Sequence, residues 1–277
     1  MFCMCLLLNC NKYTYKTIYN QLDVILYLEV KKYFNPDEEQ KKFAKQKLSE
    51  LLKWNNETQL SEYRVLLVYM KKAIQKGLTE ENLLYFYQTF DQKYEILIDK
   101  AAPDAADFVM TLRKDQMENF KTEVVQHRKE DDKRHQSESG SKDPLTRNAQ
   151  STAKFLSTFY GTFSDQQTEK IHIYMKNIDY THFDRWEYQS FRQNEFVQLV
   201  NNKADKDTMT QFLKNWMTRN YDSLPEPYRE RFKSERRFNI NLYLYVDNNI
   251  VTEKQRANAA KTADNWIQII DAVLSDQ

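Results

Sequence analysis

The sequence predicts an all-α fold, a multi-helix assembly of about ten to twelve amphipathic helices. Glycine is scarce, since Gly77, Gly140 and Gly161 are the three glycines in 277 residues. The five prolines stand where helices could begin, because proline fits the first turn of a helix but interrupts its interior. Apolar residues recur at three- and four-residue steps along most of the chain, which is the period of a helix with one buried face.

The first half of the chain, residues 11–136, has the pattern of several consecutive helices. An apolar stripe from Leu22 to Tyr33 is followed by a second stripe that ends near Leu52. Further helices are predicted over Glu57–Ile74, from Thr79 toward Ala101, from Pro103 to about Met110, and from Leu112 into a charged end near residue 136. Short connections between them indicate antiparallel neighbours.

A polar segment, residues 137–143, separates two helical halves. Its sequence SESGSKD is poor in helix formers, which predicts a linker or mobile loop. The second half, residues 144–277, has helix signals from Pro144, Ser164 and Asp184, around Met209, and along two long final stripes that start near Tyr228 and Ala259. The chain is therefore predicted to form two helical halves of similar length.

Several helices begin with a similar local signal. Thr79, Ser164 and Thr252 each follow an apolar residue and precede an acid, and an amide side chain stands three residues later, which is the pattern of a helix cap. The junction from Asn35 to Gln40 belongs to the same type, with Asn35 predicted as the cap and Pro36 as the first helical residue. The irregular spacing of these openings indicates a reused helix start and not a solenoid repeat.

These residues carry a resemblance to a known family. Cys10, the Pro36–Gln40 junction, the Thr79 and Ser164 openings and the Val251–Trp266 tail occur in the order found in an uncharacterised family of bacterial helical lipoproteins, described as a domain of unknown function. The resemblance implies a helical fold and no transferable activity. The openings at Thr79 and Thr252 are also similar to the Leu-Thr-x-x-Gln motif of periplasmic stress chaperones.

Residues 1–10 resemble the end of a lipoprotein signal peptide. The run is apolar, lacks charge and ends in Leu-Leu-Asn-Cys, so Cys10 is predicted to be the lipidated N-terminus of the mature chain. The alternative is that this run is the hydrophobic start of the first helix. Lipidation at Cys10 predicts that the protein is anchored in the bacterial cell envelope, at the outer membrane or another periplasmic face.

The charge balance argues against nucleic acid as a partner. The formal net charge is +1, whereas a surface for DNA or RNA needs clustered excess Lys and Arg to neutralise phosphates. No run after Cys10 approaches the ~18 apolar residues of a membrane-spanning helix.

No catalytic constellation is visible, and no cofactor is predicted. His127, Asp131 and His135 have a spacing that could present metal ligands on one side of a helix, but a charged, solvated helix end accounts for them more simply. His172 and His182 stand apart from partners in the sequence. A glycine-rich phosphate loop is absent from the sequence.

Arginines in the second half offer a candidate interaction surface. The residues proposed for it are Arg185, Arg192, Arg229 and Arg236, since guanidinium groups bind carboxylates and stack on aromatic rings. The alternative is ion pairing between helices, with Glu187, Glu195 or Glu235 as partners.

Two function classes follow from the sequence. The first is a non-enzymatic envelope lipoprotein that binds a partner protein, as a scaffold or as a chaperone. The second is a hydrolase or small-ligand binder whose site lies between the two helical halves.

Overall fold

The computed structural model describes residues 21–139, 143–177, 185–217, 224–226 and 228–275, together with Tyr19 and Asp222. The side chains of residues 134–139 and Arg185 are not among those described. Cys10 and His182, and residues 140–142 of the predicted linker, also lie outside the described residues.

Within these ranges the protein consists of eleven α-helices without a strand, which confirms the all-α prediction. The helices are α1 (Leu22–Phe34), α2 (Glu38–Thr58), α3 (Leu60–Lys76), α4 (Glu80–Met110), α5 (Lys114–Ser139), α6 (Pro144–Tyr160), α7 (Asp165–Asn177), α8 (Arg185–Asn201), α9 (Lys206–Met217), α10 (Tyr228–Asn249) and α11 (Glu253–Leu274).

A pair of buried glutamines joins the connection between α1 and α2 to the connection between α4 and α5. Gln40 Nε2 lies 3.1 Å from Gln116 Oε1, and Gln116 Nε2 lies 2.6 Å from Gln40 Oε1. Each amide also donates to the carbonyl five residues before the other glutamine, Gln40 to Thr111 at 3.0 Å and Gln116 to Asn35 at 3.3 Å. We call this arrangement a glutamine clasp; its bonds link the connection between α1 and α2 to the connection between α4 and α5.

A second glutamine clasp joins the connection between α6 and α7 to the connection between α10 and α11. Gln167 Nε2 lies 2.8 Å from Gln255 Oε1, and Gln255 Nε2 lies 3.3 Å from Gln167 Oε1. Each amide again donates to the carbonyl five residues before the other glutamine. Gln167 donates to Ile250 and Gln255 donates to Thr162, both at 2.9 Å. The bond pattern of the first clasp is therefore repeated.

The helices around the two clasps have the same neighbours. In the first group, α1 packs against α2 and α5, and α2 packs against α4. In the second group, α6 packs against α7 and α11, and α7 packs against α10. We call these the first and second four-helix groups. Each group consists of two pairs of consecutive helices joined by a clasp. Helix α5 ends at Ser139 and α6 begins at Pro144, so residues 137–139 of the predicted linker are helical.

The remaining helices connect the two groups. Among the described residues, α11 packs most extensively against α3, and α9 packs extensively against α4. Leu60 of α3 packs with Ile270 and Val273 of α11. Helices from both predicted halves therefore share one packed body.

Pro103 was expected to begin a short helix, and this expectation is wrong. Pro103 lies inside α4, which runs without a break from Glu80 to Met110. The neighbouring Ala102 and Ala106 are completely buried in a cluster with Met209 and Phe212 of α9. Close packing through these small residues holds the helical conformation around the proline, which lacks one backbone hydrogen bond.

The cap before α2 also differs from the expectation. Asp37 is the N-cap, and its carboxylate accepts the backbone N–H of Gln40 at 3.0 Å while the Gln40 amide oxygen accepts the backbone N–H of Asp37. Asn35 ends α1 in the left-handed conformation, with φ 43°. Asparagine tolerates that conformation better than most residues, so it serves as a stop signal here. The capping boxes predicted at Thr79, Ser164 and Thr252 are confirmed.

Candidate functional site

An apolar cleft of about 420 Å³ lies between the first four-helix group and helices α8 and α9. Its lining side chains are predominantly aliphatic and aromatic. They are Val30, Tyr33, Phe34, Phe43, Ala44, Lys47, Leu48, Leu51, Ala101, Asp104, Ala105, Phe108, Val109, Phe120, Val124, Gln193, Phe196, Leu213, Trp216 and Met217. The cleft thus combines helices from both halves of the chain, where the sequence predicted a site for the small-ligand alternative.

Four phenylalanines form one wall of the cleft. Phe34 stacks on Phe120 with ring centroids 5.5 Å apart and meets Phe108 edge-on at 5.8 Å. Phe196 of α8, only 2% exposed, meets Phe120 edge-on at 5.1 Å. Such offset and edge-on pairs fix ring positions more tightly than aliphatic contacts do, so this wall is rigid.

Small residues form the opposite part of the lining. Ala101 and Ala105 stand one helical turn apart on α4, and Ala44 of α2 faces the same space. Their methyl groups leave room that larger side chains would fill. The lining of α4 runs from Ala101 to Val109 and that of α2 from Phe43 to Leu51, so the cleft is elongated by about 12 Å along these helices.

The polar side chains at the cleft already have partners inside the protein. Lys47 Nζ lies 3.4 Å from Asp104 and 3.0 Å from Glu50, and the hydrogen bond to Glu50 holds the pKa of Lys47 above its ordinary value. The hydroxyl of Tyr33 lies 3.2 Å from His127 Nδ1, and burial raises the pKa of that hydroxyl. The indole N–H of Trp216 donates to Gln189.

The second four-helix group is packed at the positions that line the cleft in the first group. Ile171 and Met175, at most 1% exposed, stand at the positions of Ala44 and Leu48, counted from the clasp glutamine of each helix. Counted in the same way, Asp247 stands at the position of Phe108, and its carboxylate accepts the Tyr160 hydroxyl at 2.8 Å. These positions therefore line an open cleft in the first four-helix group and are packed in the second.

Asp247 is the centre of a buried polar network in the second group. It is 1% exposed, and its carboxylate accepts hydrogen bonds from the Tyr160 hydroxyl, the backbone N–H of Leu78 and the guanidinium of Arg256. Burial, together with the charge of Asp247, raises the pKa of Tyr160 well above its ordinary range. Arg256 also donates to the carbonyl of Ile74 at 2.8 Å. These bonds join the end of α10 to the ends of α3 and α6 and to the start of α11, so the network has a structural role.

The arginines of the proposed interaction surface have partners within the chain. Arg192 is buried, bonds to Glu195 at 2.8 Å and lies over the rings of Tyr188 and Phe212. Arg229 Nε is 3.2 Å from both the Leu224 carbonyl and Glu226. Arg236 pairs with Asp91 of α4 at 2.6 Å. The side chain of Arg185 lies outside the described residues.

The described histidine side chains, His127 and His172, have different neighbours. His127 contacts Tyr33 and lies edge-on to Trp186 at 5.8 Å, and His172 Nδ1 is 3.5 Å from Glu169. The side chain of His135 is not described. Among the described residues, no cluster of three His, Cys, Asp or Glu side chains has the proximity needed to hold a metal ion.

A polar groove lies between α4 and α10. It is lined by charged residues of both signs, including Glu80, Asp91, Lys233, Arg236 and Arg237. Lys233 pairs with Asp222 at 2.6 Å, and Arg236 pairs with Asp91. Opposite charges that neutralise one another across the groove stabilise the contact between the two helices and leave little net field for a charged ligand.

A known family matches this chain over residues 32–238, from the end of α1 into α10. The chain belongs to the family of unknown function DUF6279. The DUF6279 match contains the residues that line the cleft except Val30. No curated protein and no solved structure matches the chain.

The sequence did not identify the cleft of this DUF6279 member. Phe34, Phe108, Phe120 and Phe196 come from four helices, and each by itself has the pattern of an ordinary core residue. Within the described part of the chain, no helix combines the length and the apolar character that crossing a membrane requires.

Proposed function

We propose that this protein is a non-catalytic binding protein of the bacterial cell envelope, anchored to a membrane by acylation of Cys10. Its helical body takes an apolar ligand into the cleft between the first four-helix group and α8–α9. The cleft is the observation that carries the proposal. Concave, mostly apolar spaces of 300–1,000 Å³ are where proteins usually hold small ligands, and 420 Å³ lies in that range.

The chemistry of the lining supports binding over catalysis. Lys47, Asp104 and Tyr33, the titratable side chains at the cleft, are engaged with Glu50, with one another and with His127. General acid or base catalysis needs a titratable group in reach of a reacting atom, with a nucleophile or a second such group beside it. The remaining lining is aliphatic, aromatic or amide.

A titration with a neutral fluorescent apolar probe, N-phenyl-1-naphthylamine, tests the binding proposal. Ala105→Trp fills the cleft, so we expect it to weaken probe binding at least tenfold. The matched control is Ala257→Trp on the exposed face of α11, which should bind as the wild type does. Circular dichroism verifies that both variants fold. Equal binding by the wild type and the folded Ala105→Trp variant contradicts the proposal.

The anchor has a separate test. Wild type and Cys10→Ala are expressed from the native start, fractionated, and labelled with a fatty acid. Acyl chains contribute roughly 0.8 kcal/mol per buried methylene, so loss of this sulfur should release the protein from the membrane fraction. Membrane association of both proteins without label at Cys10 overturns the lipoprotein assignment but leaves the cleft proposal intact.

The expected protein partner stays a prediction. Crosslinking in the native envelope, followed by mass spectrometry, identifies such a partner directly. Comparison of wild type with Ala105→Trp then shows whether the partner uses the cleft or another surface.

A further inference from the structure

We infer that the ligand of the cleft is the hydrocarbon chain of a separate lipid molecule, bound without recognition of its polar head. This inference rests on the proposed function and deepens it by naming the chemical class of the ligand.

The first step is the polarity of the lining. A peptide segment in the cleft would bring a backbone N–H and C=O with each residue, and each group that remained unpaired after burial would weaken binding. The lining offers Tyr33, Lys47, Asp104, Gln193 and the Trp216 indole as polar groups, and four of these five are already bonded within the protein. A hydrocarbon chain brings no polar group that needs a partner. The lining therefore favours an acyl chain over a polypeptide.

The second step is the shape of the space. The lining follows α2 and α4 over eight residue steps each, with Ala44, Ala101 and Ala105 along the length and the phenylalanine wall beside them. An elongated space along two helices fits a flexible chain better than a compact ring system. Its length of about 12 Å accommodates part of a long acyl chain, so the remainder and the head stay outside.

The third step is the charge at the rim. Lys47, the lining cation, lies between two carboxylates, Glu50 and Asp104. Its charge is thus already balanced, and a carboxylate or phosphate head group would have to displace Asp104 or Glu50 to reach it. Binding should therefore depend on the length of the chain and little on the head group.

The fourth step is the comparison with the second four-helix group. That group has the same helix neighbours and the same clasp, yet Ile171 and Met175 fill the space where Ala44 and Leu48 line the cleft. Protein interiors normally pack to high density. The same helix arrangement can therefore be packed, as it is in the second group. The cleft of the first group results from the side chains at these positions and not from the arrangement of its helices.

The test uses straight-chain fatty alcohols of increasing length that carry a terminal bromine, which quenches tryptophan fluorescence. Ligand in the cleft should quench Trp216, so Trp216→Phe should remove most of the quenching, whereas Trp266→Phe, outside the cleft lining, should leave it in place. Affinity should rise roughly three- to fourfold with each added methylene until the cleft is filled. A fatty acid of equal length should bind within about threefold of the alcohol.

Several results would overturn the inference. An affinity that does not depend on chain length, a preference of more than tenfold for the anionic head, or stronger competition by an extended apolar peptide each contradicts it. If the neutral aromatic probe binds while no fatty alcohol does, the proposed function stands and the acyl assignment fails.

A final comparison identifies the source of the chain. Wild-type protein purified from membranes and the Cys10→Ala variant should both bind the added alcohols. Binding by Cys10→Ala alone would mean that the wild type's own acyl chain occupies the cleft, which overturns the assignment to a separate lipid.

Discussion

Gln40 and Gln116 lie face to face at the starts of α2 and α5, and each side-chain amide donates to the side-chain oxygen of the other. Gln116 is 1% exposed, and its oxygen also accepts the backbone N–H of Arg113. This pair of side chains therefore stabilises the starts of α2 and α5 and links the connection before α2 to the connection before α5.

Replacement of Gln116 by Met should lower the free energy of unfolding by about 2–4 kcal/mol. Methionine keeps the volume but removes the hydrogen bonds of the Gln116 side chain with Gln40, with the Asn35 carbonyl and with the Arg113 N–H, each worth about 0.5–1.5 kcal/mol. Urea unfolding monitored by circular dichroism gives the value. Gln46→Met is the control, since the exposed Gln46 bonds only within its own helix to Glu50.

The pairing of the glutamines can be tested separately with a double-mutant cycle. The cost of Gln40→Met and Gln116→Met together should be smaller than the sum of the two single costs, because the same bonds are lost in each. Additive costs would show that the two side chains act independently.

Asp247→Asn should destabilise the protein by about 3–5 kcal/mol, because it leaves the Arg256 guanidinium without its buried counterion. The control is Asp264→Asn, which removes a partly exposed pair with Lys71 and should cost at most about 1 kcal/mol. Thermal unfolding by calorimetry measures both. Similar costs for the two variants would contradict a central role for the network.

The cap at Asp37 predicts a specific loss of stability in acid. The backbone N–H of Gln40, assisted by the Arg113 guanidinium, holds the pKa of Asp37 below its ordinary value of 3.8. A depressed folded-state pKa means that this stabilisation is present above pH 3.8 and is lost as the pH falls through the lower folded-state pKa.

Asp37→Asn retains a capping side chain without the titration. The difference in melting temperature between wild type and this variant should therefore shrink as the pH falls from 6 to 2. A difference that stays constant over this range would show that the Asp37 charge does not contribute.

Pro103→Ala should raise the melting temperature. Alanine restores the N–H that can donate to the Asp99 carbonyl inside α4 and removes the steric conflict of the ring, which together are worth about 1–3 kcal/mol. Calorimetry of the variant gives the shift. A decrease instead would show that α9 packs on a bend that the proline creates.

The sequence predicted the helices and their caps, which depend on residues close together in the chain. It did not predict which distant helices pack together. The cap at Thr252 with Gln255 depends on residues three apart, so the sequence shows it directly. Gln40 pairs with Gln116, 76 positions away, because of the way in which distant helices pack together. Patterns of neighbouring residues do not predict such a pair.

Helix α1 illustrates a second limit. It carries apolar residues on all sides, so periodicity did not distinguish the buried face; Tyr27 is buried, whereas Val24 and Leu28 are about half exposed. The cleft was missed for a related reason. Its space results from the sizes of Ala44, Ala101 and Ala105 in three-dimensional register with other helices, and a small residue in a sequence looks the same whether it permits close packing or leaves an opening.

The contact between α3 and α11 has a consequence for synthesis of the chain. Arg64 and Asp271, which pair across it, are 207 positions apart. While the ribosome makes the intervening residues, the apolar side chains of α3, including Leu60, have no access to Ile270 and Val273. The face of α3 that packs on α11 therefore stays uncovered until α11 has been synthesised, although α3 also contacts α2 and α4, so this contact forms late in folding.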